Sequence, residues 1–253
     1  MKMSPLIVKE IYAKSILSES KVHDYVINPY VGCQHGCTYC YVQRYRKRFG
    51  GHEEPWGEFI DVKLNAPSLL QEEIKRKEVG RVWISGMCDP YQPLEKKYEL
   101  TKRCLEILLE YDWPVTIQTK SPLVLRDIEL FKKSDEIEVG LTITTADEKI
   151  REIFEPRAPP IKKRIDAVKK IHLAGIKTYV MIGPILPRAE ELVEQLNGKV
   201  DYVIIDRMNY HYGDWVYKKY NLEHAMSDDF FNQKKGKLIH AFEKLGISCR
   251  AVF

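Results

Sequence analysis

Seven short runs of β-branched and aromatic residues, separated by stretches of helical periodicity, constrain this chain more than any other feature. They lie at Tyr25–Val31, Arg81–Ser85, Pro114–Thr119, Ile137–Ile143, Lys177–Ile182, Tyr202–Asp206 and Ile247–Val252. Between them, apolar residues recur three and four apart. Leu100, Cys104, Ile107, Leu108 and Tyr111 form one such stripe; Ile161, Ile165, Val168 and Ile171 form another; Leu238, Phe242 and Leu245 form a third. Gly175 and Gly246 follow helical stretches and precede runs, where helix-ending glycines belong. Strand–helix alternation joins parallel strands through right-handed crossovers. The expected class is α/β with parallel strands, with an open or closed β/α barrel competing with a doubly wound sheet.

With 253 residues, the chain suits a single domain with a substantial core. Its hydrophobic fraction of 44% and charged fraction of 30% suit a globular, soluble protein. No apolar run is long enough to span a bilayer, so no membrane association is expected. The start, MKMSPLIVKE, lacks the apolar segment of a signal peptide. Six cysteines are too few for a disulfide scaffold, and their clustering indicates metal binding in a reducing, cytoplasmic setting. The net charge of +4 admits an anionic partner without requiring one. Arg44, Arg46, Lys47 and Arg48, with Tyr41 and Tyr45 interleaved, suit nucleic acid, a cofactor carboxylate, or only a solvated helix face. Residues 50–67 are expected as a long loop with a short extended piece. Residues 209–228 are polar and aromatic with little periodicity, and both segments are candidate lids.

In parallel β/α folds, chemistry gathers at the carboxyl ends of the strands. The first run ends on Cys33-Gln-His-Gly-Cys37-Thr-Tyr-Cys40, and the second on Ser85-Gly-Met-Cys-Asp-Pro-Tyr-Gln-Pro93. The fourth ends on Thr142, Thr144 and Thr145, the fifth on Gly183-Pro184, and the sixth on Asp206-Arg-Met-Asn209. Three thiols spaced C-x3-C-x2-C can hold three irons of a [4Fe–4S] cube and leave the fourth open. Zinc held with His35 is the alternative, but three cysteines and a histidine in eight residues would strain a tetrahedron.

The string Asn28-Pro-Tyr-x-Gly-Cys-x-His-x-Cys-x-Tyr-Cys-Tyr41 resembles the radical S-adenosylmethionine (radical SAM) superfamily, and more narrowly its spore photoproduct lyase-like branch. Asp89-Pro-Tyr-Gln-Pro-Leu-Glu95, Thr144-Thr-Ala-Asp147, Glu155-Pro-Arg-Ala-Pro159 and Ala174-Gly-Ile176 agree with it. The resemblance implies a partial (β/α)6 barrel with parallel strands over about residues 22–208, closed by an extension over 209–253. It further implies a [4Fe–4S] cluster on Cys33, Cys37 and Cys40 whose open iron chelates the methionyl group of S-adenosylmethionine. Reductive cleavage then gives a 5′-deoxyadenosyl radical that abstracts hydrogen from a substrate. Ferredoxin or flavodoxin is the kind of electron donor implied.

By the same resemblance, Tyr39 is the aromatic beside the adenine. Ser85-Gly86-Met87 stands where the superfamily binds the methionyl amine, often with Gly-Gly-Glu. This chain departs from that string, which leaves Ser85, Asp89 or backbone carbonyls for the role. Thr142 and Thr144 fall where ribose hydroxyls are held, or are ordinary strand threonines. Arg157 suits the cofactor carboxylate, or else pairs with Glu155 or Asp147. Gly183 and Pro184 allow close approach of adenine, and Asn209 is a further candidate. Cys88 is the candidate hydrogen-atom donor, as in spore photoproduct lyase relatives, or a small core residue. Cys104 and Cys249 are expected in the core and His172 on the surface. His211, with Tyr210, Tyr212, Asp214 and Trp215, could stack a base or another planar group. Nucleic acid is the first substrate class by analogy, with a peptide or small metabolite equally open. A non-catalytic iron–sulfur redox protein and a zinc-stabilised nucleic-acid-binding module are the rival classes.

Overall fold

The structure, a computed structural model, describes residues 5–253. It comprises two compact units: residues up to Gly36 together with Val42–Glu138, and Cys37–Tyr41 together with Val139–Phe253.

In the first unit the strands are β1 (Ile7–Ile11), β2 (Ser18–Glu19), β3 (Tyr25–Ile27), β4 (Tyr30–Val31), β5 (Phe59–Lys63), β6 (Val82–Ile84) and β7 (Val115–Thr119). β3, β6 and β7 run parallel, with Tyr25 opposite Val82 and Val82 opposite Val115. β2 pairs antiparallel with β3. A separate sheet has the order β1-β5-β4, with β1 parallel and β4 antiparallel to β5. Helix Leu100–Glu110 follows the periodicity and buries Leu100, Cys104, Leu105 and Leu108.

One sequence expectation is corrected here. The run Tyr25–Val31 is two strands in two sheets. Pro29 has no N–H for a ladder and restricts Asn28, whose side chain instead accepts the Met87 N–H at 2.8 Å. The short extended piece expected within residues 50–67 is β5, the buried central strand of that separate sheet. Its apolar residues are interrupted by Asp61. Asp61 is buried because His52 Nε2 meets its Oδ2 at 3.0 Å, while His52 Nδ1 reaches Glu54 at 3.1 Å.

The boundary between the units falls within β8 (Ile137–Thr142). In the second unit follow β9 (Lys177–Ile182), β10 (Tyr202–Ile205) and β11 (Ser248–Ala251). β9, β10 and β11 are parallel, with Tyr179 opposite Tyr202 and Tyr202 opposite Ser248. Ile143 N–H donates to the Met181 carbonyl at 3.0 Å, fixing the end of β8 beside β9. Helix Glu148–Phe154 is capped by Asp147, which accepts from the N–H groups of Lys149 and Ile150 at 2.8 and 3.2 Å. Helix Ile161–Leu173 carries the second apolar stripe, and helix Asp228–Lys244 the third.

Residues 209–228 are only partly irregular. Helix Asp214–Lys219 lies within them, and Val216 and Tyr217 are buried with Phe154, Leu186 and Ala225. Burial of these two side chains ties the segment to the core, and only part of its aromatic surface stays open.

Candidate active site

The first half of the cysteine loop is held from the segment after β6. Gly32 has φ +89°, and a Cβ there would lie 2.3 Å from the Phe59 carbonyl oxygen, so only glycine fits. The buried Gln92 grips the chain on both sides of Cys33. Its side-chain oxygen accepts from Gln34 N–H at 3.0 Å, and its amide donates to the Gly32 carbonyl at 3.3 Å. Gly36 N–H closes a turn onto the Cys33 carbonyl at 3.2 Å. His35 is buried, with Nε2 3.2 Å from Asp89 Oδ2. That distance brings the two groups close without alignment for a hydrogen bond, and neither ring nitrogen has a hydrogen-bond partner among the described residues.

Asp89 accepts hydrogen bonds from the Thr119 hydroxyl, from Lys120 N–H at 2.7 Å and from Tyr91 N–H at 2.9 Å. Burial alone would raise its pKa. The neighbouring His35 and these donors outweigh burial and lower it to about 2. The rest of the Asp89–Glu95 string is equally engaged. Tyr91 donates to Asp127 at 3.0 Å. Glu95 accepts from the Tyr30 phenol, from the N–H groups of Thr101 and Lys102, and from Arg126 at 2.8 Å. Glu95 thus satisfies the start of helix Leu100–Glu110 from six residues upstream of Thr101.

The second half of the loop is held within the second unit. Cys40 N–H donates to the Cys37 carbonyl at 3.2 Å. Thr38 donates to the Phe154 carbonyl twice, from its N–H at 2.9 Å and its hydroxyl at 3.2 Å. The half-buried Tyr39 phenol donates to Glu155 Oε1, which also accepts from Thr144 Oγ1 at 3.1 Å. Arg164 Nη1 lies 2.5 Å from Glu155 Oε2, and both side chains are fully buried. Arg164 also donates to the carbonyls of Pro159 at 2.8 Å and Thr142 at 3.1 Å. Burial and the Glu155 carboxylate push the Tyr39 phenol well above its ordinary range. Burial works against the Arg164 charge, but Glu155 more than offsets it.

Sequence reasoning missed Arg164. The available signal was its position three residues after Ile161 and four before Val168, inside an apolar helical stripe. Glu155 meets Arg164, and Asp147 meets Arg188 at 2.6 Å. Arg157 is half-buried.

Among the other candidates, Ser85 Oγ donates to the Ile27 carbonyl at 3.3 Å and accepts from Cys88 Sγ at 3.4 Å. A Cβ on Gly86 would stand 3.3 Å from the Trp83 ring. Cys88 is half-buried at the rim of a cluster containing Tyr30, Ile60, Val62 and Leu100, and burial pushes its thiol up to about 12. Thr142 and Thr144 are buried. A Cβ on Gly183 would meet Met181 Cε at 2.6 Å. Asn209 is exposed and donates to both oxygens of Asp206, at 3.0 and 2.9 Å. Cys104 and Cys249 are buried as expected, whereas His172 is half-buried against Thr178 and Asp201. His211 is exposed and pairs with Asp214 at 2.9 Å. The partly exposed Tyr41 and Tyr210 rings lie 5.8 Å apart, with Tyr212 6.3 Å from Tyr210.

The six cysteines form no disulfide. Among the described residues, no three His, Cys, Asp or Glu side chains are gathered as for a single metal ion. No helix among them is long and apolar enough to cross a membrane.

The sequence profile of the radical SAM superfamily matches residues 27–196, more than half of the chain, and the protein belongs to that superfamily. An uncharacterized protein of Methanocaldococcus jannaschii is 39% identical over 204 residues, covering 79% of this chain and 73% of its own. An uncharacterized protein of Acidianus two-tailed virus is 32% identical over 171 residues, covering 64% of this chain and 56% of its own.

Among solved structures, spore photoproduct lyase complexed with dinucleoside spore photoproduct superposes with a TM-score of 0.73 at 17% identity. The superposition covers 97% of this chain and 82% of that one. Streptococcus suis SuiB bound to S-adenosylmethionine gives 0.57 at 16% identity, over 99% of this chain and 51% of that one. At such identities the likeness is one of fold: α/β, a partial (β/α)6 barrel with parallel strands.

Proposed function

We propose that the protein is a radical SAM enzyme in which Cys33, Cys37 and Cys40 hold a [4Fe–4S] cluster and leave one iron for S-adenosylmethionine. The C-x3-C-x2-C loop in a chain of this superfamily carries the reading. The donor set fits the group: three thiols in eight residues, none in a disulfide, two of them buried. When bound, the reduced cluster supplies the electron that cleaves S-adenosylmethionine to methionine and a 5′-deoxyadenosyl radical, which takes hydrogen from a substrate.

The chain's own residues hold and shield this chemistry. Gln92 fixes the backbone on either side of Cys33, and Thr38 and Tyr39 fix the segment from Cys37 to Cys40. Ser85, Gly86, Asp89, Thr142, Thr144, Arg157, Gly183 and Asn209 are the proposed cofactor contacts. Those whose side chains are already engaged, Asp89 and Ser85 among them, would act through the backbone or by position. Cys88 keeps its proton at neutral pH, the state a hydrogen-atom donor needs.

Nucleic acid is the proposed substrate class. It is supported by the partly exposed Tyr41, Tyr210 and Trp215 and by the basic residues that follow Tyr41 in sequence. Anaerobically reconstituted protein, reduced in the presence of S-adenosylmethionine, is expected to release 5′-deoxyadenosine. A reduced, cluster-loaded protein that releases none would be a redox protein rather than an enzyme of this kind. Stimulation of that release by single-stranded DNA or RNA, but not by peptides, tests the substrate class.

A further inference from the structure

His35 stands out among the buried polar groups. It sits between Cys33 and Cys37, is 2% exposed, and has no hydrogen-bond partner for Nδ1 or Nε2 among the described residues. A neutral imidazole carries one N–H and a protonated one carries two. Nε2 stands against the Asp89 carboxylate, so Nδ1 is the ring nitrogen left buried with no group near it to bond among the described residues. Native proteins seldom leave such a buried side-chain nitrogen without a partner.

The ring is not loose. Asp89 Oδ2 stands 3.2 Å from Nε2. That carboxylate is itself fixed by Thr119, Lys120 N–H and Tyr91 N–H. The turn closed by Gly36 N–H on the Cys33 carbonyl fixes the backbone that carries the ring. The unpartnered nitrogen belongs to the residue two positions from the first cysteine of the loop, where sulfur is the acceptor a bound cluster would bring.

We infer that the His35 imidazole, oriented by Asp89, donates a hydrogen bond to sulfur at the Cys33 edge of the cluster. His35 thereby acts as a positioning residue that sets the cluster's reduction potential. The inference rests on the cluster reading proposed above. A hydrogen bond to a cluster sulfur stabilises the more negative, reduced state and raises the potential.

The test uses reconstituted wild type, His35→Leu and His35→Gln, each assayed for iron and sulfide. Wild type carrying histidine labelled with 15N in the imidazole is expected to show a weak 15N coupling in pulsed EPR of the reduced cluster. His35→Leu should lose that coupling and shift its midpoint potential to a more negative value, with His35→Gln recovering part of the shift. Absence of histidine 15N coupling in the labelled wild type overturns the inference, even if a variant fails to fold. A His35→Leu potential equal to that of wild type also overturns it. Wild type that takes up no cluster fails the reading beneath it, which the iron assay reports separately.

Discussion

Glu155 accepts a hydrogen bond from Tyr39, a residue 116 positions earlier in the chain. The same carboxylate meets the fully buried Arg164. The cysteine loop's aromatic residue is therefore anchored by an ion pair that has no contact with water. Removing one member of a buried pair leaves an uncompensated charge and typically costs about 3–5 kcal/mol. Glu155→Ala is expected to lose stability on that scale. Glu155→Gln combined with Arg164→Met should recover much of it, and urea midpoints of Glu155→Gln, Arg164→Met and the double variant measure the coupling. Additive losses would show that the pair is not coupled.

Asp89 gives the protein an acid-sensitive contact. Its folded pKa of about 2 lies below its ordinary 3.8. Its contribution is therefore complete above about pH 4 and is lost as the pH falls toward 2. The difference corresponds to about 2 kcal/mol. Asp89→Asn should flatten the acid limb of a stability-versus-pH curve for the cluster-free chain between pH 4 and 2. An unchanged slope in that window would contradict the assignment.

Cys88 is expected to react slowly. With its thiol pushed up to about 12 by burial, little thiolate exists at pH 8. Iodoacetamide followed by mass spectrometry should label it far more slowly in native than in urea-unfolded protein. For its proposed role, Cys88→Ala should still form 5′-deoxyadenosine but yield by-products from an unquenched product radical. Clean turnover by that variant would leave Cys88 as a core residue.

Gln92 holds Gly32 and Gln34, the residues flanking Cys33. Gln92→Ala should leave their backbone groups unmet, at a cost of about 1–3 kcal/mol, and should lower iron bound per chain after reconstitution. Gln92→Glu keeps the acceptor for Gln34 but not the donor for Gly32, so it is expected to fall between. Iron content and melting temperature together check this.

Gly140 in β8 faces the Tyr179 ring of β9, and a Cβ there would lie 2.1 Å from Tyr179 Cζ. Gly140→Ala is expected to destabilise by about 1–3 kcal/mol through overpacking. Tyr179→Leu should relieve part of that cost in the double variant, while Tyr179→Phe, which keeps the ring, should not. Thermal melts of the four proteins decide it.

The sequence by itself determined whatever rests on local pattern. The run Lys177–Ile182 is strand β9 residue for residue, and the stripe Ile161–Ile171 lies in one helix, because burial of one face imposes a period on neighbouring residues. The three cysteines were legible for a related reason, since their spacing over a short loop carries the chemistry and the superfamily signature. Only the tertiary structure decided what depends on partners far away in the chain. Asp61 can lie in the buried strand β5 because His52 satisfies it, and Pro29 divides a run that its apolar residues alone would join. Arg164 is stable inside an apolar stripe because Glu155 stands against it, and Gln92 is held in place by gripping both sides of Cys33. A buried polar side chain is stable only with its partner, and the partner's place is set by the fold rather than by the adjoining sequence.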